Sequence, residues 1–180
     1  GIRDYKVTGV QTCALPIYVE PGMEQVNKTT NLLNEIRLKI LNNEETFADM
    51  AVKYSQDPSA KQAGGSLGFV KRGTLVTEFE TVAFNLKPGE VSEPVKTDFG
   101  YHIIETEEIR GDKINVRHIL ITPPTTETDE SRAYKKAQAL KDSSATLEQF
   151  VKNVKQHSTD KETKSSGGNL GWINPKTYPI

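Results

Sequence analysis

Leu32, Leu33, Ile36, Ile40 and Leu41 fall three and four positions apart. That is the spacing of one helical face and predicts a helix over residues 23–43. Phe47, Met50, Ala51 and Tyr54 make a second such stripe over 45–54, which Asp57-Pro58 ends. Gly64-Gly65 reads as a tight turn into a short strand over 67–70. A third helix is expected over 77–84, ended before Lys87-Pro88-Gly89, and a short strand over 91–95. From 101 the period changes to two: Tyr101 and Ile103 alternate with His102 and Ile104, which predicts a strand over 101–109. Arg110-Gly111-Asp112-Lys113 turns the chain into another strand over 114–121. Helices are expected to follow over 131–141 and 147–156.

This order of elements begins a second time. FADMAVKYSQDPSAKQAGGSLGFV, starting at Phe47, aligns without a gap to FVKNVKQHSTDKETKSSGGNLGWI, starting at Phe150, at an offset of 103. Ser55/Ser158, Asp57/Asp160, Gly64/Gly167, Gly65/Gly168 and Leu67/Leu170 are among the identical pairs. Two copies at that period indicate tandem domains, because solenoid units run about 20–50 residues.

Residues 1–17, GIRDYKVTGVQTCALPI, show neither a helical nor a strand period. Apart from Tyr5 and Lys6, they match the translation of an Illumina-type sequencing adapter, whose variable index covers those two positions. The segment is read as non-native and set aside from fold reasoning, together with Cys13. The native start of the protein is then expected to lie outside the chain, and the second copy is expected to be cut short at its C-terminal end. The offset maps the strand at 117–120 onto residues 14–17, so the first copy has lost its opening strand. The expected division is 18–110 for the first module, 111–113 for a linker and 114–180 for a truncated second module.

Of the 180 residues, 35% are apolar and 26% charged, enough for a core but not a rich one. The 23 basic and 24 acidic side chains leave a net charge of −1, which argues against a nucleic-acid binder. The sequence contains no apolar run of membrane-spanning length. One cysteine excludes an internal disulfide or a multi-thiolate metal site. His102, His118 and His157 have no metal-ligand spacing.

The first copy resembles the parvulin-type peptidyl-prolyl isomerases. The resemblance runs from Phe47-x3-Ala51-x3-Ser55-x-Asp57 through Gly64-Gly65-x-Leu67-Gly68-Phe69, Arg72-Gly73 and Phe79-Glu80. It continues through Ala83-Phe84, Leu86, Gly89-x-Val91-Ser92-x-Pro94-Val95 and Thr97-x-Phe99-Gly100-Tyr101-His102-Ile103-Ile104. The second copy is similar through Val116-Arg117-His118-Ile119-Leu120-Ile121 and Ser158-x-Asp160 to Gly167-Gly168-x-Leu170-Gly171-Trp172. Tandem modules of this type look most like the SurA-type periplasmic chaperones, which escort outer-membrane proteins.

The resemblance implies an α+β, FKBP-like fold: a four-stranded antiparallel sheet covered by helices, with one nearly complete and one truncated module. It implies prolyl isomerisation and chaperone action on unfolded, proline-containing outer-membrane or secreted polypeptides in the periplasm, by a monomer with no cofactor or metal. A non-catalytic, peptide-holding parvulin module is the alternative. Asp57, Thr97 and His102 take catalytic positions, and Leu67, Leu75, Phe79 and Phe99 a proline-binding pocket. His118, Asp160 and Leu170 take the corresponding positions of the second copy. His118 has a second possible place. A hairpin through residues 110–113 would set strand 116–121 into the vacant slot of the first copy, bringing His118 to His102 and Asp57.

The plainer readings stand beside these. His102 alone reads as a hydrogen-bonded strand histidine, Asp57 before Pro58 as a turn former, and Leu67, Leu75 and Phe79 as core. Gly64-Gly65 is turn geometry, and His157 a surface helix residue. Residues 126–130 are expected to form a solvated acidic loop, with Asp129 or Ser131 capping the helix that follows. Acidic residues there also argue against the phosphate-selective parvulins.

Overall fold

The computed structural model describes residues 10–13 and 15–173. In chain order the first elements are β1 (Val10–Cys13), α1 (Met23–Leu41), α2 (Phe47–Tyr54), α3 (Pro58–Ala63), β2 (Ser66–Lys71) and α4 (Thr77–Ala83). Next come β3 (Glu90–Val91), β4 (Val95–Thr97), β5 (Gly100–Arg110) and β6 (Lys113–Ile121). The last are α5 (Glu127–Asp142), α6 (Leu147–His157), α7 (Lys161–Lys164) and β7 (Asn169–Ile173). Two compact units result. One is Pro21–Pro124; the other joins the described residues of 1–20 to those of 125–180.

The unit Pro21–Pro124 is an antiparallel sheet in the order β2-β6-β5-β3, with β4 also paired to β5. The strand over 113–121 is therefore an inner strand of this sheet, between β2 and β5, and lies within the unit Pro21–Pro124. Strand alternation sends residues to two faces. Ile103, Ile119 and Ile121 face Leu33 and Ile36 of α1 and Phe47, Met50 and Ala51 of α2. Ile104, Ile114 and Val116 face Phe79 and Ala83 of α4. The Thr106 hydroxyl, fully buried, donates to the Ala83 carbonyl and ties β5 to α4.

Several local expectations are corrected. Residues 91–95 are not one strand. Ser92 turns inward, its hydroxyl accepting the Ile104 N–H, and Pro94 has no N–H to donate, so β3 and β4 separate. α2 ends at Tyr54, with Ser55 already extended, and Pro58 opens α3, since its missing N–H is not needed in a first helical turn. Residues 127–130 are the first turn of α5, not a loop. Thr126 is the cap: its hydroxyl accepts the Asp129 N–H, and the buried Asp129 carboxylate accepts the Thr126 N–H, a capping box. His157 ends α6 half-buried.

In the other unit, Val10–Cys13 pairs antiparallel with β7, although its sequence lacks strand alternation. The pairing runs through backbone groups, which every residue but proline carries in full. Among the described residues, no helix is long and apolar enough to cross a membrane.

Candidate active site

The β5–β6 register sets Ile104 opposite His118 and His102 opposite Leu120. His102 and His118 are thus diagonal neighbours on one sheet face, within reach of long or aromatic side chains. Their rings stack at 5.5 Å with an interplanar angle of 16°.

Two backbone segments grip the strand around His118. On one side, the chain leaving α2 runs along β6. The Ser55 hydroxyl accepts the Leu120 N–H at 3.1 Å and the Asp57 N–H at 3.3 Å, and the Gln56 N–H donates to the Leu120 carbonyl at 2.8 Å. This aims Asp57 at His118, with Oδ2 2.8 Å from Nε2. On the other side, the His118 N–H donates to the Gly65 carbonyl at 2.9 Å. Gly65 has φ +83°, and a Cβ there would lie 2.6 Å from the His118 carbonyl oxygen. Glycine supplies both the left-handed backbone and the missing volume.

A continuous hydrogen-bond chain follows. His118 Nδ1 meets His102 Nδ1 at 3.3 Å, and His102 Nε2 meets Thr97 Oγ1 at 2.8 Å. The Phe99 N–H donates to Thr97 Oγ1 at 3.1 Å. The proton positions follow from the partners. An ionised Asp57 only accepts, so His118 Nε2–H donates, and a neutral His118 then accepts at Nδ1. His102 Nδ1–H supplies that proton, and His102 Nε2 accepts from the Thr97 hydroxyl. Both rings are held neutral. Burial pulls the His102 pKa down from 6.5 to about 4, helped by His118 and opposed by Asp57. Burial also lowers that of His118, against the hydrogen bond and charge of Asp57.

Phe79 of α4 sits edge-on to both rings, 5.4 Å from His102 and 5.7 Å from His118. Leu67 and Leu75 pack half-buried against the same apolar cluster. The Gly73 N–H donates to the Glu80 carboxylate at 2.7 Å, holding the Leu75 loop to α4. Phe99 is 63% exposed beside Thr97. A cavity of about 550 Å³ lies elsewhere, around the α1–α2 turn, and contains none of these residues.

Sequence reasoning missed Thr122 and Gln56. The Thr122 hydroxyl donates to the Phe99 carbonyl at 3.0 Å, and its N–H to Gln56 Oε1 at 2.9 Å. Thr122 thereby bridges the segment bearing Asp57 and the turn bearing Thr97 and Phe99. No sequence pattern marks it. Ser55 was legible as one of the repeated positions.

His118 belongs to the unit Pro21–Pro124 and Asp160 to the other unit. Asp160 caps α7, with its carboxylate accepting the Glu162 N–H at 3.0 Å and the Thr163 hydroxyl. Those bonds, the Thr163 hydroxyl first, lower its pKa. Leu170 lies half-buried in β7. Cys13 pairs with Asn169 as Arg117 pairs with Ser66. Among the described residues, no group of three or more His, Cys, Asp or Glu side chains could hold a metal ion.

The model of the rotamase family, the PPIC-type PPIASE domain, matches residues 16–108 and again 118–180. The chain is 38% identical over 135 residues to "Chaperone SurA" of Methylococcus capsulatus, covering 72% of this chain and 29% of that protein. It is 30% identical over 171 residues to "Chaperone SurA" of Pectobacterium atrosepticum, covering 91% and 39%. It is 48% identical over 81 residues to "Foldase protein PrsA" of a Geobacillus species, covering 45% and 29%. A crystal structure of peptidylprolyl isomerase (PrsA) from Bacillus cereus aligns with TM-score 0.42 and 29% identity, over 89% of this chain and 56% of that one. The chain spans 29–39% of the length of these curated relatives.

Proposed function

The chain belongs to the PPIC-type peptidyl-prolyl isomerase family, and we propose that its unit Pro21–Pro124 catalyses prolyl cis/trans isomerisation in unfolded polypeptides, within a folding chaperone. The observation that carries this reading is the hydrogen-bond chain Thr97–His102–His118–Asp57 beside Phe79.

Isomerisation breaks no bond. Its barrier, about 18–20 kcal/mol, comes from conjugation of the planar amide. Twisting removes that conjugation and withdraws negative charge from the carbonyl oxygen, so the twisted amide needs less hydration than the planar one. A site that takes the amide out of water therefore favours the transition state over the ground state. Leu67, Leu75, Phe79 and Phe99 would hold the proline ring and exclude water. The neutral histidine pair would present a polar but uncharged floor, set in one tautomer by Asp57 and Thr97. Each 1.36 kcal/mol removed from the barrier is tenfold in rate.

The clients we propose are proline-containing, unfolded outer-membrane or secreted proteins, met outside the cytoplasm in the bacterial cell envelope. A monomer suffices, since one chain supplies every residue of the site. The other unit favours the second reading, holding without catalysis: Asp160 is committed to its own helix cap.

NMR exchange spectroscopy of an X-Pro peptide tests the proposal. The chain should accelerate exchange, and His118→Ala should abolish the acceleration. Peptide line broadening without faster exchange would instead assign both units to holding.

A further inference from the structure

Arg72, Gly73 and Glu80 belong to the sequence pattern but to neither the hydrogen-bond chain nor the apolar walls of the site. Arg72 and Gly73 lie on the segment 72–76 between β2 and α4, and Glu80 on α4 itself. That segment carries Leu75, half-buried against the cluster of Phe79, Ile104 and Val116. It lies outside the strands and helices, and Val76, at the N-cap of α4, makes no side-chain cap bond. Its place is set by the bonds that leave it.

Two such bonds start at neighbouring amides. The Arg72 N–H donates to the Asp112 carbonyl at 3.3 Å, in the turn between β5 and β6. The Gly73 N–H donates to Glu80 Oε2 at 2.7 Å. The first ties the segment to the hairpin that delivers His118, the second to the helix that delivers Phe79. They are unequal: the Asp112 bond is long and neutral, whereas the Glu80 bond is short and made to a carboxylate, the stronger kind. Thr74 bonds back to the Lys71 carbonyl, which shapes the turn without anchoring it. The Arg72 guanidinium lies 3.9 Å from the Phe84 ring centroid, at the far end of α4. Leu75 follows Gly73 by two residues and Glu80 follows Phe79 by one. The Glu80 carboxylate therefore sets the spacing of two walls of one pocket.

We propose that Glu80 is a positioning residue of the isomerase site: its carboxylate holds the segment 72–76 against α4, so that Leu75 and Phe79 close together on the client's proline ring. The inference rests on the proposed proline pocket and adds to it a charged side chain that acts through Leu75. Leu75 would meet the ring and not the amide. Its misplacement should cost binding shared by ground state and transition state, which raises KM more than it lowers kcat.

The test uses the full chain, an X-Pro peptide as probe, and the variants Glu80→Ala, Glu80→Asp and Glu80→Gln. Peptide affinity is read by NMR titration, prolyl exchange on the same samples, and the Gly73 N–H by its hydrogen-exchange rate. Glu80→Ala should speed Gly73 hydrogen exchange and weaken the peptide about fivefold, as expected for one lost hydrogen bond, with a smaller loss in kcat. Glu80→Asp keeps the charge but is one methylene shorter; it should behave alike, and it carries the test if Glu80→Ala does not fold. Glu80→Gln keeps an oxygen within reach of Gly73 and should restore affinity. Faster Gly73 hydrogen exchange with unchanged affinity would overturn the proposal, because a merely structural bond lowers the urea midpoint and leaves affinity unmoved. Unchanged Gly73 exchange, or failure of Glu80→Gln to restore affinity, would overturn it too. If the unaltered chain binds the peptide without accelerating prolyl exchange, the enzymatic reading alone fails, since the affinity comparison still stands. An unaltered chain that binds no peptide overturns both.

Discussion

His102 and His118 share a 3.3 Å contact between their Nδ1 atoms because a two-residue turn, Gly111-Asp112, folds β6 back along β5. The strand that delivers His118 is, by the sequence repeat, the opening strand of the second copy. The site therefore joins the Asp57 segment of one copy to the first strand of the next. The contact also bears on the electrostatics. Two imidazoles this close, both buried, cannot both carry protons cheaply, and His118 adds to the burial that lowers the His102 pKa.

Stability should consequently depend on pH in a defined window. The His102 pKa falls from 6.5 to about 4 on folding, and that of His118 also falls. Below pH 6.5 the unfolded chain binds a proton that folded His102 refuses until about pH 4, and His118 shifts in the same direction. Stability contributed by the neutral pair is complete above pH 6.5 and is lost as pH falls toward 4. The urea midpoint should be level between pH 7 and 8 and should drop steadily from pH 6.5 to 4.5. A midpoint that rises over that interval would refute the neutral assignment.

Gly65→Ala should damage the site from behind. The added Cβ would sit 2.6 Å from the His118 carbonyl oxygen and 3.0 Å from Ala51 Cβ, on a backbone at φ +83°. A strained substitution of this kind costs more than about 1 kcal/mol. Relief requires β6 to withdraw, which lengthens the His118–Asp57 contact. We expect a lower denaturation midpoint and a shifted His118 side-chain resonance, with the His157 resonance unmoved.

Much of this arrangement was legible in the sequence, for reasons tied to particular residues. The stripe at Leu33, Ile36, Phe47 and Met50 became one core because each helix buries one face, and the alternation of His102 and Ile104 became a strand face turned toward α4. The motif positions Asp57, Thr97, His102 and Phe79 meet in space. The hairpin reading of His118 follows from the short turn at 111–112. Thr122 was not legible, because its hydroxyl and N–H act at points that only tertiary structure brings near. The strand at Val10–Cys13 was missed for a different reason: the segment was set aside as non-native, and its pairing with β7 is a matter of backbone register.

Phe79→Leu should separate stability from activity. Leucine keeps an apolar side chain against Ala83, Ile104 and Val116, so the fold should lose only about 1–2 kcal/mol, part of it the aromatic contact with the two rings. The flat edge facing both imidazoles disappears, and with it a wall of the proposed proline pocket. Prolyl exchange should fall by more than tenfold while the urea midpoint moves modestly. Unchanged exchange would return Phe79 to the role of ordinary core.

Thr122→Val tests whether the two ends of the hydrogen-bond chain are held in register. Valine is close to threonine in shape and keeps the backbone N–H bond to Gln56, so it deletes only the hydroxyl bond to the Phe99 carbonyl. The residue is exposed, so little desolvation follows, and the stability cost should be about 1 kcal/mol or less. The consequence lies in geometry. Phe99 N–H donates to Thr97 Oγ1, which faces His102 Nε2. Freeing the Phe99 carbonyl loosens the turn that aims the Thr97 hydroxyl and presents the exposed Phe99 ring to a client. Peptide affinity should weaken several-fold, while the exchange rate of bound peptide changes less, and Thr122→Ser should restore both. A purely structural role predicts the opposite division: a lower melting temperature, with affinity unaltered at temperatures where the chain is folded.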